Sequence, residues 1–373
     1  MKKTLLYLVP LFVLFAPVLA RVQMFSGDTP ATLEGQTEAS AAPEQAFVRG
    51  VRARLADARR ALEERQPETT ERVTLAVEDA ADSRLHLIDV SKETFLEKGA
   101  EAALTSSLGE TLRLRVVRAN GVNTAVRVTD EAGRELRPLL VQYPIEKDGE
   151  FKEVAYYASA HPALRSEGLV RGGSLYVRSM LERAAERLAA QGKRVSPEII
   201  DAAERLCIVE HTDHKRFKKE DHAALYDEIY TLYALNTGDT YRHSVSTAGA
   251  GGMIQMIPQT YAAYRERNPE LNLNPDFVAG MRDHSNATQA MLLYMQDTWN
   301  NLLKQEEVRK ALDAGVATQT ELLAAGYNSN PARLAGYLKR GGHGWRQLIP
   351  EETQMYLRIY ASVDSLADLS SRG

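Results

Sequence analysis

Along residues 47–64 the apolar side chains Val48, Val51, Leu55, Ala58 and Leu62 recur at steps of three and four, which gathers them on one face of a helix. The Arg-rich opposite face reads as a solvated surface, and we assign residues 47–68 to this helix. From Arg72 onward the period falls to two. Leu112, Leu114 and Val116 alternate with Arg113, Arg115 and Val117, and Val122, Val126 and Val128 resume beyond Asn120-Gly121. That dipeptide between alternating runs predicts a hairpin, because Asn and Gly tolerate the positive φ of a tight turn. A second turn is expected at 130–133, before Leu136, Leu139 and Val141, with further strands over 73–77 and 85–88. Residues 69–165 therefore read as a small β-rich module.

Helical spacing returns over 174–191, where Gly192 is a plausible stop, and 166–194 is taken as a linking helix. Ser196-Pro197-Glu198 then has the chemistry of a helix start: a capping hydroxyl, a proline whose missing N–H is harmless in the first turn, and an acid at the positive end of the dipole. Residues 195–366 stay helical in pattern, with no second run of strands and no internal repeat. The expected fold class is α+β, a mainly helical C-terminal domain preceded by a small β-rich domain.

The N-terminus changes the picture of where the protein works. Lys2 and Lys3 precede an apolar run over 5–16, and Val18-Leu19-Ala20 offers the small-residue pattern of signal cleavage. Residues 1–20 are read as a signal peptide, with an uncleaved membrane anchor as the alternative, and residues 21–46 as a flexible linker rich in Ala, Thr, Glu, Ser and Pro. Either reading places the protein in the periplasm or outside the cell. A net charge of −4 over 373 residues, without a long Lys/Arg run, excludes a nucleic-acid role. The single cysteine, Cys207, lies between Leu206 and Ile208 and reads as core filler.

Candidate chemistry begins at Glu210, which closes the helix opened by Ser196 directly after Leu206-Cys207-Ile208-Val209. Apolar neighbours and the partially negative helix end should both raise its pKa, so that the carboxyl can act as a proton donor near neutrality. Further on stands a block containing Ser246, Gly249-Ala250, Gly251-Gly252-Met253-Ile254-Gln255, Pro258 and Thr260. Its glycines allow close backbone approach, and the Gln255 amide suits sugar hydroxyls and N-acetyl groups. No Lys-Ser/Thr pair follows the glycines, so this is not a phosphate loop. His211, Asp213 and His214, with His222 and His243 nearby, raise a zinc alternative, but no H-E-x-x-H spacing supports it. No metal and no cofactor are expected.

This block resembles the lytic transglycosylase family at every fixed position. Two further segments, Ala324-Ala325-Gly326-Tyr327-Asn328 with Pro331 and Pro350-Glu351-Glu352-Thr353 with Tyr356, resemble that family's next blocks in the same order, and residues 199–210 resemble the helix ending in its catalytic Glu. The sequence departs from the family pattern at His211, at Gly326 and Asn330, and in an insertion between Glu210 and Ser246 that looks helical over 221–235. The insertion also carries Glu220 and Glu228 as lesser candidates for the acid.

The resemblance implies a lysozyme-like catalytic domain over 195–366 that binds peptidoglycan glycan strands. It implies cleavage of the β-1,4 bond between N-acetylmuramic acid and N-acetylglucosamine, leaving a 1,6-anhydro end. Glu210 would serve as single acid and base, the substrate's acetamido group supporting the cationic centre. Ser246, Met253, Gln255, Tyr327, Asn328 and Glu352 would be the substrate-binding set, with Tyr327 hydrogen-bonding the acetamido group or Glu210. The competing reading is a catalytically inactive lysozyme-like domain that binds glycan or scaffolds the envelope. The β-rich module is left with three roles: docking glycan, positioning the catalytic domain, or contacting another envelope protein.

Overall fold

A computed structural model describes residues 34–65, 67, 69–147, 149–159, 161–237, 249–367, 369 and 372. The expected signal peptide, His243 and Ser246 lie outside the described residues. Among the described residues, no helix is long and apolar enough to cross a membrane.

The first helix, α1, runs Glu34–Glu64. It starts well before Phe47, so residues 34–46 are helical and not linker. Ala, Glu and Gln favour helix without any apolar stripe, which is why periodicity missed them. From Pro43 to Gly373 the chain forms one unit.

Among the described residues seven antiparallel strands follow: β1 (Arg72–Glu78), β2 (Leu85–Ser91), β3 (Glu101–Thr105), β4 (Thr111–Arg118), β5 (Ala125–Thr129), β6 (Glu135–Lys147) and β7 (Glu150–Ala158), with the short helix α2 (Lys92–Phe95) after β2. Their order is β2-β1-β6-β5-β4-β3, and β7 pairs with β6. The long β6 takes β5 at its start, then β1 on one edge and β7 on the other, so Leu140 is paired to both Ala76 and Ala158. The Ser107 N–H donates to the Leu87 carbonyl and curls the β3–β4 turn back toward β2. Within the curl lie Val73, Leu75, Val77, Ile88, Phe95, Leu112, Leu114 and Val116. On the other face of β1, β2 and β6, Ala76, Leu87 and Leu140 meet Val51, Ala58 and Leu62 of α1. With one face on each core, β1 is buried almost throughout and loses strict alternation.

The antiparallel hairpin of β4 and β5 forms around Asn120-Gly121, where the sequence places it, though its connection is longer than a two-residue turn. Gly121 does adopt a positive φ of 53°, but strand pairing stops at Arg118 and resumes at Ala125, leaving a loop over 119–124. Thr124 holds this loop: its Oγ1 donates to the Gly121 carbonyl at 2.8 Å and accepts from the Asn120 N–H at 2.9 Å. Strand β3, with its small apolar side chains at half-exposed positions, was not expected.

Among the described residues the rest is mainly helical: α3 (Glu167–Ala190), α4 (Pro197–Val209), α5 (His214–Phe217), α6 (His222–Leu235), α7 (Pro258–Arg267), α8 (Phe277–Arg282), α9 (His284–Leu303), α10 (Glu306–Asp313), α11 (Gln319–Asn328), α12 (Leu334–Gly341) and α13 (Glu351–Leu366). Helix α3 lies within the 166–194 span expected of the linking helix, and the Ser166 hydroxyl caps it by accepting from the Leu169 N–H. Ser196 stands at the N-cap of α4 but makes no side-chain cap bond, contrary to its expected role. Helix α6, carried by the insertion, crosses α3 at Gly173. A Cβ there would sit 1.8 Å from the Tyr230 carbonyl oxygen, so only glycine permits the approach. The same helix ties to the sheet: the Ala158 N–H donates to Asn236 Oδ1 at 2.7 Å, and Asn236 Nδ2 donates to the Ala158 carbonyl at 3.2 Å. Ile199, Leu206, Cys207 and Ile208 of α4 are fully buried in the helical core.

Candidate functional site

Three helix ends meet over one cleft of about 860 Å³. Helix α4 delivers Glu210 at its C-cap, α11 delivers Tyr327 and Asn328 in its last turn, and α13 delivers Glu352 and Tyr356 from its first two turns. The spacing from Glu352 to Tyr356 puts both on one face of α13. Gln255 closes the wall from the glycine-rich segment. The sequence-predicted Glu210, Gln255, Tyr327, Asn328 and Glu352 are thus brought together although they are separated by up to 142 positions in the chain.

Glu210 is the centre of the arrangement. Its pKa is raised from 4.5 to about 8, chiefly because burial penalises the charged form; the hydroxyl of Tyr356 opposes this, and the nearby charge of Glu352 adds to it. The Tyr356 OH donates to Glu210 Oε1 at 2.5 Å and so fixes the carboxyl's orientation. A carboxyl of this pKa is largely protonated at neutral pH and can give its proton to a ligand oxygen in the cleft.

Tyr356, which the sequence reading left without a role, therefore holds the place expected of Tyr327. The Tyr327 hydroxyl instead donates to the Ile254 carbonyl at 2.6 Å, tying α11 to the glycine-rich segment. Behind it Tyr294 and Tyr264 continue an edge-to-face ladder, with centroid separations of 5.6 and 5.5 Å. Asn328 is anchored through Oδ1, which accepts from Thr353 Oγ1 at 2.8 Å.

The glycine-rich segment is a tight loop. Gly252 has φ 78°, and a Cβ there would meet the Met281 carbonyl oxygen at 3.2 Å. Gln255 itself takes φ 48°, a left-handed conformation rare outside glycine, and its Nε2 donates to the Gly252 carbonyl at 2.9 Å. Met253 is a correction: its side chain is fully buried in the helical core and faces no ligand. Only its carbonyl reaches the site region, accepting from His211 Nε2 at 3.2 Å.

That bond also sets the state of His211. Burial lowers its pKa to about 4, so the ring is neutral and Nε2 carries the proton it donates. His222 is engaged as well, with Nε2 against the Phe217 carbonyl at 2.8 Å and Nδ1 against Ser362 Oγ at 3.0 Å. Among the described residues no three His, Cys, Asp or Glu side chains group as a metal site. Glu220 and Glu228 do not replace Glu210, because both are held by Arg216 at 2.7–2.9 Å, outside the cleft that contains Gln255 and Tyr327. The arginine keeps the Glu220 carboxyl below its ordinary range, unsuited to proton donation.

The chain was compared with protein-family models, with curated proteins and with solved structures, and none of them matches it.

Proposed function

We propose that the protein is an exported peptidoglycan lytic transglycosylase in which Glu210 is the single acid and base. The observation that carries this reading is a carboxyl raised to about 8 on the wall of a cleft furnished with amide and hydroxyl groups for sugars. Protonated Glu210 would give its proton to the glycosidic oxygen between N-acetylmuramic acid and N-acetylglucosamine. The bond to the muramoyl anomeric carbon breaks as the substrate's acetamido oxygen supports the cationic centre. Glu210, now a carboxylate, takes the proton of the muramoyl 6-hydroxyl, whose oxygen closes on the anomeric carbon to leave the 1,6-anhydro end. Tyr356 steadies Glu210 throughout, and Gln255 and Asn328 orient the sugar. The order of the family-like blocks supports a lysozyme-like assignment for the helical part, and the export pattern of residues 1–20 supports a periplasmic or extracellular site of action.

Glu352 favours a second reading. It shares the cleft and acts electrostatically on Glu210, so a two-carboxylate hydrolase, with Glu352 activating water, would use the same groups. Digestion of purified sacculi by wild type and Glu210→Gln separates the readings. Anhydro-ended muropeptides from wild type alone support the transglycosylase, and reducing ends mean hydrolysis. Retained glycan binding with no product from either protein means an inactive binding or scaffolding domain.

A further inference from the structure

Glu210 and Thr212 line two cavities. One is the cleft described above; the other, about 270 Å³, is walled on its far side by Arg118 at the end of β4, by Asn120 and Asn123 of the β4–β5 loop and by Tyr157 of β7. This second cavity shares Arg118, Asn123, Asp213, Arg216 and Glu228 with a larger groove of about 1050 Å³ between the sheet and helices α5 and α6. Most acids in the groove are already satisfied. Glu220 and Glu228 are held by Arg216, Glu135 lies 3.3 Å from Arg127, and Asp213 caps α5 by accepting from two backbone N–H groups. Of the cations, Arg127 and Arg216 are engaged in these same pairs, whereas the others are not fully engaged. Arg118 reaches Glu228 only at 3.6 Å, and its buried Nε has no hydrogen-bond partner. Lys98, Lys215 and Lys219 line the groove without an ion pair among the described residues.

We propose that this groove binds the acidic peptide borne by the muramoyl lactyl group of peptidoglycan, with Arg118 as the principal carboxylate contact and Lys215 and Lys219 as supporting charge. The inference rests on the glycan reading of the Glu210 cleft. A stem peptide carries more carboxylates than amines and leaves the glycan at the sugar to be cleaved, so an anionic branch enters beside Glu210, where the basic groove begins. Arginine with free donors suits a carboxylate better than lysine because its planar fork can bind both oxygens. The sheet then has a task in the reaction, as the wall that reads the peptide while the helices read the sugar.

The test titrates the full-length chain with the free tetrapeptide L-alanyl-γ-D-glutamyl-meso-diaminopimeloyl-D-alanine by calorimetry, for wild type, Arg118→Ala and the double variant Lys215→Ala/Lys219→Ala. The two lysines are exposed and their loss should not disturb folding; thermal melting checks Arg118→Ala. We expect about tenfold weaker binding for Arg118→Ala, a smaller loss for the double variant, and weakening with salt. Equal affinity in all three proteins would overturn the proposal, as would equal binding of the fully amidated tetrapeptide or displacement by inorganic phosphate at the same concentration. A parallel digest of peptide-bearing and peptide-stripped glycan keeps the two ideas apart. Products from wild type with unaltered peptide binding in the variants sink the groove alone. Peptide binding that depends on Arg118, without any glycan product, sinks the transglycosylase reading and leaves the groove standing.

Discussion

Replacing Glu210 with Gln should stabilise the protein increasingly as pH rises. The folded-state pKa of Glu210 is raised from 4.5 to about 8, so the folded protein holds a proton that the unfolded chain releases. Its contribution to stability is therefore whole below about pH 4.5 and is lost as pH climbs through about 8. At about 1.36 kcal/mol per pKa unit, the full loss has a ceiling of about 5 kcal/mol, of which about 3–4 kcal/mol falls between about pH 5 and pH 9. Gln cannot ionise, yet its Oε1 can still accept from Tyr356, so the substitution removes the charge while keeping the hydrogen bond. Urea unfolding of both proteins across this range measures the effect as a difference, which cancels the pH dependence of every other group. A gap between the two stability curves that widens steadily with pH is expected. Parallel curves would show that Glu210 ionises as it does in water, and the proton-donor argument would fail with them.

Three further outcomes follow from the same geometry. Tyr356→Phe removes the donor that favours ionised Glu210, so the alkaline limb of kcat/KM against pH on glycan should move upward by about one unit. Gly173→Ala drives a methyl into the Tyr230 carbonyl at the α3–α6 crossing and should cost about 3 kcal/mol or more in denaturant unfolding. Trp345→Ala empties a fully buried site and strips the Val316 carbonyl of its indole donor at 3.2 Å; a loss of about 3–5 kcal/mol is expected by the same measurement.

What the linear pattern determined by itself was local. The two-residue alternation of Leu112, Leu114 and Val116 and the apolar stripe of Val51, Ala58 and Leu62 specified a strand and a helix with the correct buried faces, because backbone geometry alone sets those periods. For Glu210 the apolar neighbours Leu206 to Val209 pointed to the upward direction of its pKa, while its partners Tyr356 and Glu352 come from a helix remote in sequence. The places of Tyr356 and Met253 were not legible. Whether a side chain enters the cleft or the core depends on how α4, α11 and α13 converge, and residues distant in sequence decide that. The Ser166 cap of α3 and the Thr124 bond within the β4–β5 loop are local too, each joining residues three apart in the chain. Above all, tertiary structure set the β4–β5 loop beside Glu210, joined across the Asn236–Ala158 bonds, where no pattern in either segment could have placed it. Periodicity reports which face of an element is buried; the partner that buries it is chosen by packing across the whole chain.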